Sequence, residues 1–119
     1  MKVTYKDENV TANIEVIKST IRTGLTRSKM ISDSEPIEGE DDLIIYMRRF
    51  AFPSLIAASV KGTVKVKGKA LPWPLTFDQF LELPEQLGDQ WLDAVQELNP
   101  QWFDLPEIDE KKVNEPSTE

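Results

Sequence analysis

The sequence predicts a mainly α fold: a compact bundle of about four to five short helices, with a short β arm as an option around residues 61–69. Three observations predict it. Apolar residues recur at helical spacing in several separate stretches. Helix-start residues stand ahead of the later ones. Residues 61–69 alternate with a period of two and give the one strand candidate set against these helices.

The first stretch carries Val10, Ile14, Ile17, Ile21 and Leu25 at steps of four, three, four and four. Such a stripe covers one face of an amphipathic helix, so a helix is expected over about residues 8–29. Glu15 and Lys18 make a favourable helical pair there, whereas Lys18 and Arg22 set like charges four apart. Gly24 weakens this helix by ~1 kcal/mol relative to alanine. Residues 30–42 are rich in Ser, Asp, Pro and Gly and read as a loop. Its last acids, Glu40, Asp41 and Asp42, favour a helix N-terminus through the macrodipole.

Leu43, Ile44, Met47, Phe50 and Ala51 continue at helical spacing, with Arg48 and Arg49 on another face. Pro53 disfavours the α region in the residue before it. Either the helix ends near Phe52 and a new one starts with Pro53 at its first position, or one helix kinks there; the break is preferred, with Leu55, Ile56, Ala58 and Val60 in a short buried second helix. In residues 61–69, Val64 and Val66 alternate with lysines, which suits a short strand or an extended arm. Thr4–Lys6 is its one candidate partner strand. Leu71-Pro72-Trp73-Pro74 reads as stiff and close to polyproline geometry.

Thr76 and Gln79 form a capping box for a short helix with Phe77, Phe80, Leu81 and Leu83. Pro84 suits the first turn of the next helix. That helix carries Leu87, Trp91, Ala94, Val95 and Leu98, with Trp102 on the same line, and Asn99-Pro100 ends it. Its other face holds Glu85, Asp89, Asp93 and Glu97, each four residues from the next. Residues 104–119 are acidic, hold two prolines and have almost no apolar side chain. They cannot bury enough surface to order themselves. The expected organisation is one helical domain over residues 1–103 and an acidic disordered tail over 104–119.

Composition narrows the function. The 119 residues include no cysteine and no histidine. That excludes disulfide scaffolds, thiolate nucleophiles and cysteine zinc sites, and removes the commonest general base. No apolar run is long enough to span a membrane and the first residues lack a signal core, so a cytoplasmic protein without a membrane partner is expected. The net charge of −7 argues against a nucleic-acid partner.

That charge is unevenly spread: +3 over residues 1–29, −6 over 30–47, +6 over 48–71 and −10 over 72–119. Ordinary solvated faces account for this, since exposed pairs contribute only ~0–1 kcal/mol each. The alternation also allows pairing between subunits, and a homo-oligomer is expected.

Asp89 with Asp93, or Asp93 with Glu97, would lie together on one helix face. Paired carboxylates can serve acid–base chemistry or hold a divalent cation, but they need a cleft and further ligands, and a solvated face explains them better. The run Glu38–Asp42 lacks calcium-loop spacing, and Gly62–Gly68 lacks the Gly-Lys-Ser/Thr ending of a phosphate loop. No catalytic residue, metal ligand or cofactor is expected, and the chain reads as a non-enzyme that works through its surface. The candidate partner-binding residues are Trp73, Phe80, Leu87, Trp91, Leu98 and Trp102, with Asp89, Asp93 and Glu97 as the charged component. Tryptophan is enriched at binding hot spots. Trp91 lies mid-stripe, which favours the core; Trp73 and Trp102 lie at element ends and suit either role.

One stretch resembles a known family. It reads Leu75-Thr76-Phe77-x-x-Phe80-Leu81-x-Leu83-Pro84, then Trp91-Leu92-x-Ala94-Val95-x-Glu97-Leu98-Asn99-Pro100-x-Trp102. This is similar to the C-terminal part of the tail assembly chaperones of long-tailed (siphovirus-like) bacteriophages and prophages, and it covers about a quarter of the chain. The resemblance implies a small, largely helical protein of the bacterial host cytoplasm that acts without a cofactor. It implies binding to the phage tape measure protein, help in recruiting tail tube protein, and departure before the virion is complete. It also implies a longer form made by ribosomal frameshifting, for which adenine-rich codons at Glu110-Lys111-Lys112 would suit. The alternatives are a structural head–tail or tail-completion protein of a phage, or a small acidic adaptor.

Overall fold

The computed structural model describes residues 1–35 and 37–103. Two strands open the chain, β1 (Lys2–Lys6) and β2 (Val10–Val16), followed by the helix α1 (Ile21–Asp33). A helical run then comprises α2 (Asp42–Tyr46), a π-helical turn (Met47–Ala51) and α3 (Phe52–Ala57). Strands β3 (Ser59–Val66) and β4 (Lys69–Ala70) come next. Helices α4 (Phe77–Leu81) and α5 (Glu85–Leu98) and a 3₁₀ turn (Pro100–Phe103) complete the described chain. The expected acidic tail over 104–119, with the slippage position at 110–112, lies outside the described residues.

The mainly α expectation is overturned. The four strands form one antiparallel sheet in the order β1-β2-β3-β4, so the fold is α/β. The helix expected over 8–29 is a strand, a link and then a helix. Val10 and Ile14 satisfy a period of 3.5 and a period of two equally well. Val10, Ala12, Ile14 and Val16 are the residues that become buried on one face. The β-branched residues of this segment fit a pleated surface. Pairing on both sides then holds the strand: Ile14 faces Val3 of β1 and Gly62 of β3. The extended segment around 61–69 is β3 with its hairpin, built into this sheet. Lys67 and Gly68, both at positive φ, make the two-residue turn into β4. Thr4–Lys6 is indeed strand, but it pairs with β2, not with β3.

The asymmetry of the sheet positions everything else. Lys2, Thr4, Lys6, Thr11, Asn13, Lys61, Thr63 and Lys65 alternate onto the solvent face and are exposed. The inner face packs on Phe52, Leu55 and Ala58, on Leu75 and Phe80, and on Leu87, Trp91, Ala94 and Val95 of α5. Burying each large apolar side chain contributes about 1.5–3 kcal/mol. α5 follows the sequence reading closely, because its stripe admits no competing period of two.

The break expected at Phe52 is also corrected. The chain stays helical through Pro53, because a wider turn precedes the proline: the Phe52 N–H reaches Met47 O, five residues back. Ser54 Oγ donates to Phe50 O at 2.9 Å inside this turn. The register change redirects the expected stripe. Ala51 is buried and Ile44 and Met47 are half-buried, while Leu43 and Phe50 are exposed. Val60, expected in a buried helix, sits exposed on β3.

Candidate binding surface

The sequence-predicted partner residues divide by depth. Leu87 and Trp91 have no exposed surface and are centres of the core. Trp91 Nε1 donates to Ser59 Oγ at 2.8 Å, and that hydroxyl donates to Leu55 O at 2.6 Å. Phe80 is buried and meets Trp91 edge-on, with ring centres 5.8 Å apart. Trp73 is half-buried and stacks on Trp91 at 6.0 Å. Its ring fills the space over Gly62: a Cβ there would lie 2.3 Å from the ring edge. The Trp73–Pro74 peptide is cis. Leu98 is half-buried against the core. Trp102 is half-buried on the 3₁₀ turn.

Asp89, Asp93 and Glu97 are all exposed. Asp93 and Glu97 line a shallow cleft with Met1–Thr4 of the β1 edge. Asp89 stands apart from them, on the rim of an apolar pocket walled by Met47, Leu55, Phe80 and Leu92. Among the described residues, none of the three forms an ion pair, and no group of three or more carboxylates is placed to share a metal ion.

Asn99 has a role beyond ending the helix. It is fully buried. Its Oδ1 accepts from the Ser19 N–H at 2.6 Å, while Nδ2 donates to Ile17 O at 3.1 Å and Val95 O at 3.3 Å. The end of α5 is thereby tied to the link between β2 and α1.

The most exposed large apolar side chains lie outside the candidate partner-binding set. No residue of α1 is buried. Its capping box, Thr20 with Thr23, starts the helix after the link, so Ile21 and Leu25 fall on a face turned away from α3. Ile21 is 86 % exposed and Leu25 66 %. Leu43, 73 % exposed, continues along its own helix to Tyr46 and Phe50, whose rings lie 5.9 Å apart.

Between these helices lies a cavity of ≈ 420 Å³, lined by Arg27, Tyr46, Phe50, Ser54, Trp102 and Phe103. Arg27 Nε donates to Ser54 Oγ at 2.7 Å and Nη2 to Trp102 O at 3.3 Å. Its guanidinium lies 4.8 Å over the Trp102 ring. Burial pushes this guanidinium below the ordinary arginine value, and Tyr46 opposes that in part. The available signal is Leu43, Tyr46 and Phe50 at steps of three and four, which the grouping of Leu43 and Phe50 with Ile44, Met47 and Ala51 conceals.

No protein-family model matches the chain, and neither a curated protein nor a solved structure matches it.

Proposed function

We propose that this chain is a tail assembly chaperone of a long-tailed bacteriophage or prophage. In this reading it works in the cytoplasm of the bacterial host, binds the tape measure protein and helps recruit tail tube subunits. The observation that supports it best is α1, a thirteen-residue amphipathic helix with no buried residue. A helix presenting Ile21 and Leu25 to solvent is the half of a helix–helix contact that a partner helix completes. Lys18 and Arg22 stand exposed beside this stripe. The acidic face of α5 lies elsewhere and would keep a loaded complex soluble. The resemblance of Leu75–Phe103 to such chaperones supplies the identity of the client. The role has no catalytic step and uses no cofactor.

The test is co-expression with the tape measure protein encoded nearby. The expected result is a soluble, co-purifying client. Replacing Ile21 and Leu25 together by serine should abolish capture while leaving the fold intact. Absence of any gain in client solubility rejects the reading. Presence of the chain in purified virions would favour the structural head–tail alternative instead.

A further inference from the structure

The cavity beside Arg27 has a composition that a simple surface dent lacks. Four of its lining residues are aromatic, Tyr46, Phe50, Trp102 and Phe103, and a half-buried guanidinium lines it with them. Two donors of that group are spent on Ser54 Oγ and Trp102 O, both neutral. Among the described residues no carboxylate pairs with it. A half-buried cation held in place by neutral groups carries unspent attraction for an anion, and a guanidinium suits a carboxylate best. The aromatic walls favour a bulky apolar group next to that carboxylate. The cavity lies within the range that encloses small organic groups, and it would hold one such side chain. Tyr46 and Phe50 extend it along a helix face to exposed Leu43, so the apolar track is longer than a single small molecule.

We propose that this pocket is the anchor point for a partner polypeptide segment that carries a large apolar side chain beside an aspartate or glutamate. Under the chaperone reading, on which only the partner's identity rests, that segment belongs to the client. The carboxylate would meet the outward edge of the Arg27 guanidinium, the apolar side chain would pack between Phe50 and Trp102, and the segment would continue over Tyr46 toward Leu43.

The test uses the full chain and two probes, 3-phenylpropionate and its neutral counterpart 3-phenylpropanol, titrated while the Trp102 indole and Arg27 Nε signals are followed by NMR. The propionate should bind more tightly by about tenfold or more, the scale of one charge-assisted hydrogen bond. Arg27→Gln should erase that preference, and Phe50→Ala, at an exposed position, should weaken both probes. Equal binding of the two probes overturns the proposal, and the wild-type chain alone supplies that comparison if Arg27→Gln does not fold. Absence of a saturable shift also overturns it, because the pocket is then already filled, by a second copy or by the chain's own residues 104–119. The client separates this inference from the broader reading. Capture that survives Arg27→Gln and Phe50→Ala unchanged overturns the anchor and leaves the chaperone standing. Probe preference without client capture does the reverse.

Discussion

Trp91 and Ser59, thirty-two residues apart in sequence, share a buried hydrogen bond of 2.8 Å at the centre of the core. The Ser59 hydroxyl also donates to Leu55 O, so one small side chain satisfies the indole and joins α5 to the junction of α3 and β3. Replacing Ser59 with alanine leaves the indole N–H without a partner in a site that excludes water. The expected loss is about 1–3 kcal/mol. In a domain of this size each 1 kcal/mol lowers Tm by about 4–8 °C. Thermal unfolding followed by tryptophan fluorescence checks this, and an unchanged Tm contradicts it.

A side chain at position 62 and the Trp73 ring in its present place are mutually exclusive. Gly62→Val should push the half-buried Trp73 off Trp91 and toward solvent. Emission should shift to the red, with a stability loss of about 1–3 kcal/mol. In the double variant with Trp73→Ala, the valine meets open space and part of the loss should be recovered. Denaturant titration of the single and double variants reads this coupling.

Asn99→Ala should free the link between β2 and α1. The Ser19 N–H loses its acceptor, and Ile17 O loses a donor. Hydrogen exchange at residues 17–20 should accelerate, with a loss of about 1–3 kcal/mol. Asn99→Asp discriminates the clamp from a merely polar requirement. It keeps an acceptor for Ser19 but turns a carboxylate oxygen toward two carbonyls, so it should be no better than alanine.

The turn between β1 and β2 carries a pH dependence. The Asp7 carboxyl is held below its usual 3.8, first by the Tyr5 hydroxyl and then by the N–H groups of Val10 and Asn9. A carboxyl with a lowered folded-state pKa contributes stability that is complete above the unfolded value and is lost as pH falls through the folded one. Stability should therefore decline below about pH 4. Asp7→Asn should flatten that part of the acid limb, and Tyr5→Phe should flatten it in part. Urea midpoints measured between pH 2 and 6 test the sign.

The C-terminal half was legible in the sequence for a physical reason. Leu87, Trp91, Ala94, Val95 and Leu98 fit one period only, and the Thr76–Gln79 capping box is local chemistry that needs no tertiary help. The N-terminal half was not. Val10, Ile14 and Ile17 satisfy helix spacing, while Val10, Ala12, Ile14 and Val16 alternate with Thr11, Asn13 and Glu15 at a strand period that the longer stripe conceals; pairing with Val3 and Tyr5 on one side and with Val64 and Val66 on the other decides between the two. Thr20 caps α1 through its hydroxyl, a local signal that the longer stripe conceals. The binding surface followed the same logic. Phe80, Leu87 and Trp91 are recognisable as apolar anchors; the mid-stripe place of Trp91 already favours the core, and packing puts all three inside. The pocket around Arg27 joins residues from positions 27 to 103, a juxtaposition that no local pattern encodes.

The Asn99 clamp has a consequence for synthesis. The first strands and the helix that covers them lie at opposite ends of the described chain. Ile14 and Val16 find their cover in α5, and residues 17–19 find their polar partner only when position 99 is available. A ribosome making this chain would therefore hold a sheet covered only in part, by the residues of α3 and α4, until α5 has emerged. Domains fold as units during translation, and this one would close in a single late step. A premature stop anywhere before Asn99 should give an aggregating fragment in place of a shortened but working protein.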